Sequence, residues 1–136
     1  MKELYCVRLV MCSEFIDQVQ DYFPVWEILQ IVSAKDFDEA EELGLVEGNN
    51  HEDISDKFWC NGIPSHWIFK GVRDVQKLTD LVIQDLGINE GWFSENKYTF
   101  KTMDNVFEFV RGETVLCMID SLPLDEPDDY RLLNRL

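Results

Sequence analysis

A chain of 136 residues is the size of one domain, and folding at that length hides roughly two thirds of the surface an unfolded chain exposes. Its 46% hydrophobic content, with nine Phe, four Tyr and four Trp, excludes a disordered acidic segment. Against 12 Lys and Arg stand 27 Asp and Glu, a formal net charge of −15 that repels phosphate backbones and anionic headgroups, so direct nucleic-acid or membrane-surface binding is not expected.

Taken in order, Leu4 to Cys12 is apolar at both sets of alternating positions, which predicts an interior strand buried on both faces with Arg8 as its one charge. Ser13 offers an N-cap, and Phe15, Ile16, Val19, Tyr22 and Phe23 recur at helical spacing as far as Pro24, predicting a short amphipathic helix. Val25 to Ser33 is β-branched and aromatic, a second strand with Glu27 expected in solvent. Asp36 to Gly44 predicts an acidic helix: Asp36 and Asp38 suit an N-terminal dipole, Phe37, Ala40 and Leu43 form one face, and Gly44 can supply the C-terminal cap.

A polar connection, Gly48 to Asp53, follows. Lys57 to Cys60 and Ile63 to Gly71 flank Asn61-Gly62, the strongest short hairpin signal, and Pro64 places that end at a sheet edge. Asp74 opens a further predicted helix through Val75, Leu78, Val82 and Leu86 to Gly87. Tyr98 to Lys101, Val106 to Val110 and Thr114 to Leu122 read as a meander of strands, and an acidic, irregular tail begins at about residue 123. The expectation is one α+β domain over residues 1–136: a single mixed or largely antiparallel sheet of about six strands with two or three helices packed on one face.

The charge is concentrated. Asp36, Asp38, Glu39, Glu41, Glu42, Glu47, Glu52, Asp53 and Asp56 lie in a stretch that contains no Lys or Arg, and with residues 120–136 it accounts for 12 of the 15 net negative charges. Local potential steers association more than total charge does, so this stretch is the candidate surface for a basic protein partner. Gly91-Trp92-Phe93-Ser94, read as turn-rich, supplies Trp92 and Phe93 as candidate aromatic anchors; Trp59 and Trp67 would serve if exposed beside the acids.

Catalytic and metal constellations are weak by comparison. Cys6, Cys12, Cys60 and Cys117 stand singly, and His51 and His66 are the two histidines, so reduced thiols packed as small hydrophobes are expected and no structural metal. Cys60 and His66 across the hairpin form a conceivable thiol–base pair, but a negative field raises a thiol pKa. Asp125, Glu126, Asp128 and Asp129 lack the pattern of a calcium loop, and no Gly-rich phosphate cradle is present. Neither enzymatic activity nor a cofactor is expected. Met1-Lys2-Glu3 leads straight into the first strand without a leader pattern, and no apolar run is long enough to span a bilayer, so a cytoplasmic protein is expected.

In its size, acidity, want of motifs and expected location the chain resembles the small acidic immunity proteins of bacterial polymorphic and contact-dependent toxin systems. That likeness implies an inhibitor that occludes the active or nucleic-acid-binding surface of a basic, nuclease-type toxin, and it assigns no particular residue. Two alternatives stand beside it: a phage or plasmid DNA mimic that blocks a defence protein, with acids tracking duplex phosphates, and a small enzyme or ligand-binding domain with a pocket lined by Trp59, Trp67 and His66.

Overall fold

The computed structural model describes residues 2–55, 57–78, 91–113, 115–119 and 131–133, the last two segments and 91–95 by their backbone alone. The first strand, β1 (Glu3–Phe15), pairs antiparallel with β2 (Phe23–Ala34) on one side and with β4 (Ile63–Lys77) on the other. β5 (Gly91–Phe100) adds to β2, and β6 (Val115–Ile119) to β5. Two short strands, β3 (Trp59–Cys60) beside β4 and β7 (Arg131–Leu133) beside β6, extend the edges, giving the order β3-β4-β1-β2-β5-β6-β7. Helix α1 (Phe37–His51) follows β2, and helix α2 (Met103–Val110) follows β5.

The doubly apolar pattern of β1 has a direct cause. Tyr5, Val7, Leu9 and Met11 point to the face covered by α1, where Ile28, Val32, Ala34 and Ala40 complete a buried cluster. Val10 and Cys12 point the other way, into a second cluster with Val25, Tyr98 and Phe100 that is closed by Val106 and Phe109 of α2. The two described helices therefore lie on opposite faces of the sheet, not on one face as expected. A strand enclosed on both sides has no solvent face to mark with polar residues.

Four local expectations are corrected. Phe15 to Phe23 is not helical: β1 runs to Phe15, β2 starts at Phe23, and Gln20 closes the connection by donating to Ser13 O at 2.7 Å and accepting from Phe15 N at 3.1 Å. Val19, which a helix would have buried, is 89% exposed. α1 does not stop at Gly44 but continues through the expected loop to His51, because Gly44 and Gly48 serve close packing instead of a cap. A Cβ there would meet Val7 at 2.5 Å and the Phe69 ring at 2.4 Å.

Asp74 caps no helix. It lies in β4 opposite Arg8, and the strand continues through Val75 to Lys77; the remainder of that predicted helix, residues 79–87, lies outside the described residues. Val106 to Val110 is helix, with Thr102 as the N-cap accepting from Asn105 N at 3.1 Å and with Val106 and Phe109 three apart on the buried side. The hairpin is as expected: Asn61 and Gly62 take φ of 51° and 79°, the left-handed pair that a tight two-residue turn requires, and β3 is the sheet edge beside Pro64. Of the tail from about residue 123, the described part is β7.

Glu27 is the largest departure from the reading of single residues. Instead of facing solvent it is 1% exposed on the α2 face, between Arg8 at 3.2 Å and Arg73 at 3.0 Å. Arg73 also donates from Nε to Phe109 O at 3.1 Å and stacks 4.4 Å over the Phe109 ring, so one guanidinium ties β4 to β2 and to α2.

Candidate protein-binding surface

α1 presents the acidic stretch. Asp36 is its N-cap, extended at φ −157° and accepting from Glu39 N at 2.8 Å, which satisfies one orphan donor of the first turn. Glu39 turns back to accept from Lys35 N at 3.1 Å. These two carboxylates are thus engaged in ending the helix. Ala40, Gly44 and Gly48 form the buried stripe four residues apart, which turns Asp38, Glu41, Glu42, Leu45 and Val46 outward. Asp38, Glu41 and Glu42 are exposed; Leu45 is 42% and Val46 55% exposed on the same outer side. Phe37 is half exposed while its ring edge rests on Tyr5 at 5.1 Å.

The remaining acids diverge. Glu47 is partly buried at a groove of about 510 Å³ between α1 and β2, shared with Lys2, Gln30, Val32, Ser33 and Leu43. Glu52 accepts from Phe69 N at 3.0 Å, occupying a donor on the outer edge of β4. Asp53 pairs backbone to backbone with Trp67, and its carboxylate takes Ser55 N at 2.9 Å; hydrogen bonding from Ser55 holds that carboxyl below its ordinary range. Asp56 lies outside the described residues. Among the described residues the ion pairs engage Glu3, Glu14, Glu27, Asp74 and Glu113, and none reaches an acid of α1 or of the loop behind it.

Trp92 and Phe93 do not sit in a turn. Their backbone belongs to β5, with Trp92 opposite Gln30, and their side chains lie outside the described residues. Trp59 meets the condition set for an anchor: it is 57% exposed on β3, at the edge where Asp53 and Ile54 also run, and Ile54 is 69% exposed. Trp67 is partly buried. The outer apolar residues of α1, Leu45 and Val46, were hidden from sequence reasoning because the helix was ended at Gly44, before either of them.

Cys60 and His66 are not brought together by any hydrogen bond among the described residues: Cys60 is buried opposite Ile63, while His66 stands opposite Glu14 of β1. Cys6 and Cys12 are likewise buried free thiols, and burial pushes Cys12 up to about 12, far from the range of a nucleophile. The Cys117 side chain lies outside the described residues. Neither the groove at Glu47 nor a second, of about 340 Å³ between Phe37, Glu41 and Val72, includes Trp59, Trp67 or His66. No helix among the described residues is long and apolar enough to cross a membrane. No family model matches the chain, and no curated protein or solved structure is significantly similar to it.

Proposed function

We propose that this protein is an acidic protein-binding inhibitor, with the outer face of α1 and the loop behind it as its contact surface and a basic, nuclease-type toxin as its target. The observation that carries the reading is the mixed character of one helix face: Asp38, Glu41 and Glu42, engaged in no ion pair among the described residues, are followed one turn on by exposed Leu45 and Val46. Charge alone speeds encounter, and desolvated apolar contacts hold a complex once formed; a face with both suits an inhibitor that must capture its target quickly and keep it. Inhibition by occlusion needs no covalent step, so no catalytic residue and no cofactor enters the proposal.

Asp38, Glu41 and Glu42 replaced together by Lys give the decisive variant, since none of the three caps the helix. Retention of host proteins on the wild type and on this variant is compared at low and moderate salt, followed by co-expression with the basic protein retained. The expected result is one basic protein held stoichiometrically by the wild type, lost from the variant, and toxic unless the wild type is present. Equal retention by both forms removes α1 from the interface, and a retained protein that is harmless in cells overturns the immunity role.

A further inference from the structure

Beyond the end of α1, the same face of the sheet carries an aromatic cluster. Trp26 of β2 and Trp67 of β4 lie on either side of β1, opposite Met11 and Ser13, and their rings meet edge to face at 4.7 Å. Phe58 closes on Trp67 at 5.5 Å. All three rings are partly buried and none is sealed.

Three observations bear on what this cluster can hold. Lys97, opposite Trp26 in β5, holds its ammonium 5.6 Å from the Trp26 ring centroid, so this indole face accepts a cation and a stronger one would have to displace the resident ammonium. Two carboxylates border the cluster: Asp53 exchanges backbone hydrogen bonds with Trp67 at 2.9 and 2.7 Å, and Glu52 accepts from the next outward donor, Phe69 N. Ser13, wholly buried on this face opposite Trp67, has a hydroxyl with no hydrogen-bond partner among the described residues.

We propose that Trp26, Trp67 and Phe58, bordered by Asp53 and Glu52, form a platform that takes an arginine side chain from a basic protein partner. Guanidinium is the fitting cation because its plane stacks on an indole while its edge donates to a carboxylate. The hydrogen bonds from Ser55 keep the Asp53 carboxylate charged, and its register opposite Trp67 places it at the rim of the stacked rings. The identity of the partner rests on the inhibitor reading, whereas the platform itself stands on the side chains named here.

The probe is Nα-acetylarginine methylamide, titrated against the full chain while the indole N–H resonances of Trp26 and Trp67 are followed by NMR, with the neutral citrulline counterpart as control. A saturable shift with the arginine compound and none with the citrulline compound is expected. Trp26→Phe, which keeps an apolar ring but weakens its face, lowers the affinity about fivefold. Asp53→Asn lowers it by a similar factor. Lys97→Ala raises it about twofold, because the resident ammonium competes for the ring and repels the newcomer. Lys97 is exposed, so that variant and Asp53→Asn test the site even if Trp26→Phe unfolds the chain. Equal shifts with both compounds, no saturable shift, or weaker binding by Lys97→Ala overturns the platform. Binding of the arginine compound with no basic protein retained would sustain the platform and remove the inhibitor reading; the converse pair of results would remove the platform alone.

Discussion

Glu27→Gln is the substitution whose cost the structure defines most tightly. The carboxylate is 1% exposed and lies between Arg8 and Arg73, whose side chains are 19% and 7% exposed, so neither guanidinium has a free path to bulk solvent. Gln keeps the volume and one acceptor oxygen but removes the only carboxylate paired with Arg73 among the described residues, leaving Arg8 with Asp74 at 3.8 Å. Breaking a buried ion pair from one side costs about 3–5 kcal/mol, because the surviving charge stays desolvated. For a domain of this length, each kcal/mol lowers Tm by roughly 3–4 °C, so a fall of about 9–20 °C is expected. Urea unfolding checks the free energy, and the same loss should persist in high salt, since buried pairs are poorly screened. Arg73→Met in the Glu27→Gln background should recover part of the loss by removing the stranded cation. A loss under about 1 kcal/mol, the range of exposed pairs, would refute the argument that these three groups are desolvated.

Other consequences can be read as directly. Gly48→Ala forces the Phe69 ring to move from a 2.4 Å approach; overpacking at about 1–3 kcal/mol outweighs the gain of at most about 1 kcal/mol in helix propensity, so thermal unfolding should show net destabilisation. Ser55→Ala removes a hydrogen bond that favours the charged form of Asp53, and the NMR titration midpoint of that carboxyl should rise toward 3.8. The sign follows from linkage: a carboxyl depressed in the folded state contributes stability above its unfolded pKa, lost as pH falls through the folded value, so the Ser55 contribution vanishes at acid pH. Cys12, pushed up to about 12 by burial, should resist alkylation at pH 8 until denaturant is added; fast reaction in the native state would contradict its burial.

The strands were legible where pattern and environment agree. From Leu4 to Cys12 β1 is apolar at both sets of alternating positions but for Arg8, and the first part of β2 is a β-branched and aromatic run, because both of their faces are covered, and Asn61-Gly62 announces a turn only left-handed residues can make. Failures arose where two physical causes share one signal. Phe15, Val19 and Tyr22 have helical spacing, yet Phe15 and Tyr22 simply meet edge to face at 5.3 Å across a connection, leaving Val19 in water. Val106 and Phe109 satisfy a helix and Val106, Glu108 and Val110 satisfy a strand; the deciding residue is Thr102, whose capping role depends on what lies after it. Glu27 is invisible to any local rule, because its partners Arg8 and Arg73 are 19 and 46 residues away.

The acidic stretch illustrates the same limit at the level of function. Read as charge, its nine carboxylates are equivalent; read as structure, Asp36 and Glu39 end a helix, Glu52 occupies a strand-edge donor and Asp53 holds a turn. The engaged acids still contribute to the field that steers a basic partner, since a hydrogen-bonded carboxylate keeps its charge. Asp36 and Glu39 are poor candidates for direct contact, because a partner would have to replace the bonds they make at the start of the helix. Asp38, Glu41 and Glu42 carry no such cost. Substitution of Glu52 or Asp36 should therefore slow association and also lower stability, whereas substitution of Glu41 or Glu42 should slow association alone. Association rate and thermal stability, measured on the same variants, separate these two groups, and equal stability losses in both would mean that the outer face of α1 is held by interactions within the fold.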